Sequence, residues 1–119
     1  MKLNPKEERA AKKLLAAIQA FRTLDGDMQL PMAASFLIVA LNDGVSRTEV
    51  MNELGVAGST ATRNLMGLME SGRLGRPGHA LIDQRVNPEE RRWRMHSLTP
   101  KGRKFLKQLA AILEEDEAT

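Results

Sequence analysis

The chain has 119 residues, of which 42% are apolar, and a formal net charge of +3. That length suits one domain, and that apolar share is too high for a disordered chain. Cysteine is absent, which excludes disulfides, thiolate metal sites and thiol redox chemistry and fits a reducing cytoplasm. The N-terminus lacks the apolar core of a signal peptide, and the apolar run at positions 31–41 is too short for a membrane-spanning helix, which needs about 20 residues. We therefore predict a soluble, cytoplasmic protein with no membrane segment.

The positive charge is concentrated in one part of the chain. Positions 59–107 hold eleven basic and four acidic residues, whereas positions 108–119 hold four acidic residues and no basic one. A local excess of this kind indicates a polyanionic partner. The alternative is an ordinary solvated basic surface, and charge alone does not separate the two.

Two helices are predicted in the first third of the chain. Asn4 is a good capping residue, Pro5 suits the first helical position and Glu7 stands where a capping box needs an acid. Apolar residues then recur at helical spacing as far as the end of this helix, near Gly26. Positions 31–42 are apolar on nearly every side, which predicts a central helix buried on all faces.

The next segment has the pattern of a helix-turn-helix. Ser46, with Glu49 three residues later, predicts a capped short helix that ends at Gly55. Ser59 is the predicted cap of the following helix, which should run to about Gly72. Two short helices joined by a tight, glycine-containing turn are typical of this motif.

The second of these helices has a predicted polar face. Thr60, Arg63, Asn64 and Gly67 recur at intervals of three and four, opposite an apolar stripe. Threonine, arginine and asparagine side chains form hydrogen bonds with base edges and phosphates. The alternative is an ordinary solvated helix face.

Glycine, proline and arginine residues at positions 73–80 predict a basic loop, and a hairpin follows it. Positions 81–86 form the first predicted strand, and Asn87 and Pro88 favour a turn. Period-two alternation in the second arm predicts one side that packs on the core and one that faces outward. The predicted core side holds Trp93 and Met95, and the outer side holds Arg92, Arg94 and His96, with His96 interpreted as a surface residue.

Thr99 and Pro100 predict the start of a last helix, with an apolar stripe at positions 105–113. The order of elements predicts a mainly α protein with a small β-hairpin: a winged helix-turn-helix with an additional helix at each terminus. We expect one domain over positions 1–119. Positions 1–25 would form an N-terminal helix and dimer element, 31–98 the helix-turn-helix and wing, and 99–119 the C-terminal helix and acidic tail.

The segments "RTEVMNELGVAGSTATRNLMGLMESG" and "NPEERRWRMHSLTPKGR" resemble the MarR-type (multiple-antibiotic-resistance regulator) family of transcriptional regulators. Where that family has an Asp-x-Arg pair, then Leu-Thr, then Gly, this chain has Glu90, Arg92, Leu98, Thr99 and Gly102. The resemblance covers roughly positions 31–107.

The chain differs from the family pattern in three ways. Glutamate stands at position 90 where aspartate is usual, and positions 73–80 form an insertion after the second helix of the helix-turn-helix. The C-terminal helix also lacks the second helix that often completes the family's dimer interface. The resemblance nevertheless implies a homodimer. Many members of the family also bind a small-molecule effector, but no residue of this sequence identifies one.

These features together predict a sequence-specific regulator of double-stranded DNA, and the resemblance implies a repressor. The helix at positions 59–71 would enter the major groove, with Arg63 suited to guanine and Asn64 to adenine, and the wing at positions 81–98 would reach the minor groove. Ser59 has the structural alternative of a helix cap, and Arg92 that of a brace held by Glu90. The insertion with Arg73 and Arg76 equally suits a passive linker. The candidate DNA-binding residues are Ser59, Thr60, Thr62, Arg63, Asn64, Arg73, Arg76, Arg85, Arg91, Arg92 and Arg94.

Other functions remain open at this point. A winged helix also serves as a protein-interaction module, such as an adaptor or an inhibitor of an enzyme, and a replication or maintenance factor would carry the same signals. An enzyme is not expected, and neither is a cofactor or a metal, because the two histidines stand alone and no phosphate loop or metal-ligand spacing occurs. The apolar stripes at positions 11–21 and 105–113 either form a dimer interface or cover their own domain.

Overall fold

A computed structural model describes residues 2–72 and 75–114 of the chain. Its sheet has three antiparallel strands in the order β1-β3-β2, and the mainly α prediction with a β-hairpin is confirmed. The third strand, β1, was not predicted, because two residues directly before a helix give no alternating pattern. In chain order the elements are α1 (Pro5–Leu24), α2 (Leu30–Leu41), β1 (Val45–Ser46), α3 (Arg47–Leu54), α4 (Gly58–Leu68), β2 (Ile82–Val86), β3 (Arg94–Leu98) and α5 (Pro100–Glu114).

Local sequence sets the ends of α1 and α3 as predicted. The Asn4 side chain accepts a hydrogen bond from the Glu7 amide at 2.8 Å, and the Glu7 carboxylate accepts one from the Asn4 amide at 3.0 Å. Ser46 and Glu49 form the same reciprocal pair at the start of α3. Gly55 ends α3 in the left-handed conformation, with φ of +69°, which glycine adopts without steric penalty.

The centre of the core is a cluster of three phenylalanines. Phe21, Phe36 and Phe105 come from α1, α2 and α5, and their ring centroids are 5.2–6.1 Å apart in edge-to-face pairs. The prediction that α2 is buried on all faces is wrong. Leu41 is 81% exposed and Leu37 is also exposed, so α2 has one open side.

The base of the wing is attached to α5 by a close approach of two backbone segments. The Thr99 hydroxyl donates to the Ala80 carbonyl at 2.6 Å and accepts from the Gly102 amide at 3.0 Å, while the Thr99 amide donates to the Leu81 carbonyl. A Cβ atom on Gly102 would overlap the Leu81 carbonyl oxygen. The threonine and the glycine therefore fix the first turn of α5 against the start of the wing.

The insertion after α4 folds back over the end of that helix. The amides of Gly78, His79 and Leu81 donate to carbonyls of Glu70, Gly67 and Leu68, respectively, at 2.8–3.0 Å. These bonds satisfy carbonyl groups that a helix end leaves without partners. They also account for the end of α4 at Leu68, whereas the sequence predicted an end near Gly72. The predicted loop is present over positions 75–80, and positions 73 and 74 lie outside the described residues.

Two glycine substitutions compare the close approach of Gly102 to the Leu81 backbone with an open turn at Gly26. Gly102→Ala should lower the free energy of unfolding by about 1–3 kcal/mol, because the added methyl group overlaps backbone that cannot move aside easily. Gly26→Ala is the matched control, since no atom lies within 4 Å of its Cβ position. Urea denaturation measures the free energy of unfolding of both variants. Equal values for the two would contradict the role of Gly102 in fixing α5 against the start of the wing.

Candidate nucleic-acid interface

A cleft of about 660 Å³ separates the helix-turn-helix from the wing. The amino end of α3 forms one end of it, with Arg47 and Thr48, and α4 forms the floor, with Thr62 and Met66. The opposite wall is the wing, which contributes Gln84 and residues 92–94. The two parts that the sequence predicted to bind DNA therefore border one continuous surface.

The open face of α4 differs from the predicted polar face. Ser59 and Arg63 are exposed and Thr62 and Met66 are partly exposed, so the open face follows positions 59, 62, 63 and 66. Asn64 is only 6% exposed, and its Nδ2 has no hydrogen-bond partner among the described residues. The prediction of Asn64 as a contact to adenine is wrong for this conformation.

The burial of Asn64 follows from the apolar stripe of α4. Ala61, Leu65 and Leu68 are buried, and position 64 lies between them on the helix surface. Gly67 faces inward as well, because a Cβ atom there would lie 2.6 Å from the Cε of Met32 in α2. The predicted polar face was thus rotated toward the core, and Thr60 at its edge is only partly exposed.

Ser59 does not cap α4. The capping position is Ala57, which makes no side-chain hydrogen bond, and Ser59 is the second residue of the helix. The prediction of its structural role is therefore wrong, because the cap lies two residues earlier, at Ala57, and the helix begins at Gly58. The hydroxyl of Ser59 is left on the exposed face beside Arg63.

The tip of the wing is held by side-chain hydrogen bonds. Asn87 accepts from the amides of Glu89 and Glu90 at 2.8 and 3.3 Å, which confirms the predicted turn. Both carboxylate oxygens of Glu90 accept from the Arg92 guanidinium, at 3.0 and 3.2 Å. This pair lowers the pKa of Glu90 and raises the pKa of Arg92, so Glu90 holds Arg92 as the predicted brace. The Arg92 side chain is nevertheless 85% exposed.

The remaining wing arginines face different directions. Arg94 lines the cleft, and its guanidinium donates to the carbonyl of Arg91 at 3.1 Å. Arg91 is exposed beside the turn and forms no ion pair with the part of the chain that the structure describes. Arg85 pairs in register with Met95 and so lies on the sheet face opposite Arg94.

The insertion contributes little to the cleft. Arg76 is exposed in the loop but does not line the cleft, and Arg73 lies outside the described residues. The cleft therefore brings Thr62, Arg92 and Arg94 together with Arg47, and Arg63 lines an adjoining depression with Arg47 and Thr62. Arg76 and Arg85 line neither of them. The other residues that line the cleft were not predicted as DNA contacts: Ser46, Arg47, Thr48, Glu49, Leu65, Met66, Met69, Gln84, Trp93 and His96. For Gln84 and His96, only the strand register would have indicated this position.

The predicted sides of the second wing strand are reversed. Trp93 precedes β3 and is 56% exposed, whereas His96 is 3% exposed, so the prediction of Trp93 on the core and of His96 on the surface is wrong. The reason is the register: His96 pairs with Val45 of β1 and Gln84 of β2, which places it on the face directed toward the helices. Its Nδ1 is 3.0 Å from the Val45 carbonyl oxygen.

Burial lowers the pKa of His96, and the hydrogen bond to Val45 and the charge of Asp83 oppose that shift only in part. The imidazole is therefore held neutral at the base of the wing. In the described parts of the chain, no group of three or more metal-ligating side chains occurs, and no helix is long and apolar enough to cross a membrane.

The buried imidazole predicts a loss of stability in mild acid. Below pH 6.5 the unfolded chain binds a proton at His96 that the folded chain resists, so this contribution to stability is full above pH 6.5 and is lost as the pH falls further. We expect the free energy of unfolding to drop between pH 7.5 and 5.5, and to drop less in His96→Gln, which has no charge to gain. His79→Gln is the control, and an equal pH dependence in all three proteins would contradict the assignment.

Known structures with the same fold support the overall arrangement. The chain matches RV1404 of Mycobacterium tuberculosis with a TM-score of 0.67 and 24% identity, over 89% of this chain and 68% of that one. It matches a DNA complex of MepR from Staphylococcus aureus with a TM-score of 0.64 and 19% identity, over 95% and 79%. It matches MarR with a TM-score of 0.60 and 19% identity, over 86% and 73%.

No protein-family model matches the sequence, and neither does any curated protein. The structural matches are nonetheless consistent with one another and span nearly the whole described chain. The chain therefore has the winged-helix fold of the MarR-type regulators.

Proposed function

We propose that this protein is a sequence-specific, double-stranded DNA-binding transcriptional regulator of the MarR type, acting as a cytoplasmic repressor. The observation that carries the proposal is the single cleft bordered by the open face of α4 and by the arginine-bearing wing. A helix fits the major groove, and a cationic ribbon beside it reaches the adjacent minor groove. The MepR structure with this fold is a DNA complex, which supports the same role here.

In this arrangement α4 reads bases through its exposed side chains. Arg63 would pair with guanine, and Ser59 and Thr62 lie on the same face within reach of bases or phosphates. Thr60, only partly exposed, would contribute at the edge of that face. A bidentate contact from Arg63 to guanine is worth about 1–3 kcal/mol of discrimination against other bases.

The wing supplies charge rather than base readout. Arg91, Arg92 and Arg94 would bind phosphates or enter a narrow minor groove, whose negative potential favours arginine. Arg85 on the other face of the wing and Arg76 in the insertion would contact phosphate only if the duplex extended beyond the cleft.

An apolar groove between α1, α2 and α5, which shares no lining residue with the cleft, supports a homodimer. Leu14 and Ile18 of α1, Leu37 of α2 and Leu113 of α5 are all exposed around a groove of about 630 Å³. The N-terminal stripe therefore does not simply cover its own domain. In a dimer that buries this surface, the two copies of α4 would be the recognition helices, the helices that enter the major groove. They would lie about one helical turn of DNA apart, on a pseudo-palindromic site.

Selection from random duplexes tests the proposal directly. The protein is incubated with a pool of random duplexes at several salt concentrations, and the bound fraction is sequenced. Neutralisation of about six phosphates gives a slope near −5 for log affinity against log salt. An enriched palindrome supports a dimeric regulator, whereas binding without enrichment or salt dependence would overturn the proposal.

Arg63→Ala should relax base preference with little effect on the salt dependence. The substitution removes a base contact worth about 1–3 kcal/mol, which is roughly 5- to 150-fold in discrimination at one position. Repeating the selection with this variant measures the change. Retention of the parent's preference at every position would show that Arg63 reads no base.

Arg91→Ala combined with Arg92→Ala should weaken binding to most sequences and make the salt slope shallower by about 2, because two phosphate contacts are lost. Lys12→Ala is the control: it removes an exposed cation on α1, which is paired with Glu8 at 3.2 Å and does not line the cleft. Fluorescence anisotropy of a labelled duplex at four salt concentrations gives the slopes. A double variant that keeps the parent's slope would remove the wing tip from the interface.

A further inference from the structure

Trp93 is the only tryptophan in the chain and stands apart from the other exposed apolar residues. Most of those lie on α1, α2 and α5, around the proposed dimer surface, whereas Trp93 lines the cleft between the wing and α4. Its neighbours in sequence, Arg92 and Arg94, line the same cleft. A large aromatic surface is thus held between two cations on the wall that faces the recognition helix.

The backbone fixes this position before any partner binds. The Trp93 amide donates to the Glu90 carbonyl at 3.0 Å, and the Trp93 carbonyl accepts from the Asn87 amide at 2.9 Å. The adjacent Arg92 is in turn held by the Glu90 carboxylate. Ordering Trp93 on binding therefore requires little further loss of backbone freedom, which favours affinity.

The geometry of a duplex determines what would occupy the cleft. One sugar–phosphate strand separates the major groove from the adjacent minor groove. If α4 lies in the first and the wing reaches the second, that strand has to cross the cleft between them. Such a strand alternates anionic phosphates with the apolar faces of deoxyribose rings, and the wall of the cleft alternates Arg92, Trp93 and Arg94.

We propose that Trp93 is a DNA contact, with its indole packed on a deoxyribose of the strand between the two grooves and its flanking arginines on the neighbouring phosphates. This inference rests on the proposed function and adds an apolar contact to the charged contacts already proposed. The contact fixes the register of the protein on the duplex without reading a base. It also adds an apolar term to the affinity, which is independent of counterion release.

Because Trp93 is the single tryptophan, its fluorescence reports on the cleft alone. The full-length protein is titrated with the duplex recovered by the selection, and quenching by acrylamide is measured at each point. We expect the emission to change in step with the anisotropy of a labelled duplex, and quenching to fall severalfold at saturation. A Trp93 that is equally quenched with and without bound duplex would overturn the inference.

Substitution provides the second test. Trp93→Ala should weaken duplex binding about tenfold at every salt concentration and leave the salt slope unchanged, because the lost contact is apolar. Trp93→Phe should recover most of the affinity. Val86→Ala is the matched control, since it truncates an exposed apolar side chain of the same wing that does not line this cleft.

The outcomes separate this inference from the proposed function. Absence of duplex binding by anisotropy would end both. Binding with Trp93 still quenchable, and with Trp93→Ala equal to the parent, would end only the role of Trp93. Protection of Trp93 that grows with protein concentration in the absence of DNA would assign the cleft to a second copy of the chain instead. If the alanine variant fails to fold by circular dichroism, the quenching of the parent protein decides alone.

Discussion

The cleft depends on the pairing of β3 with β1, a strand of only two residues. Val45 and Ser46 pair with His96 and Met95, and α3 begins at the very next residue. Through β1, the wing is therefore joined by hydrogen bonds to the residues that directly precede α3, in addition to its covalent connections. The close approach of Gly102 to the Leu81 carbonyl also attaches the base of the wing to α5. With its base joined to both α3 and α5, the wing has a defined position relative to α4.

Elements with a strong local signal were predictable from sequence. Reciprocal capping pairs at Asn4 and Ser46, the left-handed Gly55 and the asparagine of the wing turn each act within a few residues, and the structure contains all of them. The order of helices and hairpin followed from these signals and from apolar periodicity. The resemblance to a known family agreed with that order.

The errors concern which side of an element faces the core, because distant residues decide that. Asn64 is polar but lies within the stripe set by Leu65 and Leu68, and Trp93 is apolar but precedes the paired strand. Register was decisive for the wing: pairing with β1, which gave no sequence signal, turned His96 inward. A shift of one residue in register exchanges the two faces of a strand. Polarity alone was thus a poor guide to which side of α4 and of the wing faces the cleft.

Some side chains of the wing supply positive charge, and others fix the geometry of its tip. The Glu90 carboxylate neutralises part of the charge of Arg92, and the Glu90 carbonyl accepts the hydrogen bond that positions Trp93. Glu90 therefore lowers the positive potential of the tip while it fixes the geometry of the turn. Arg91 and Arg94 have no such acidic partner among the described residues and remain the stronger sources of positive potential. Salt would screen these cations but leave the packing of an indole unaffected. Under the proposed function, an interface built this way would keep its register on a duplex even when its overall attraction to DNA is weakened.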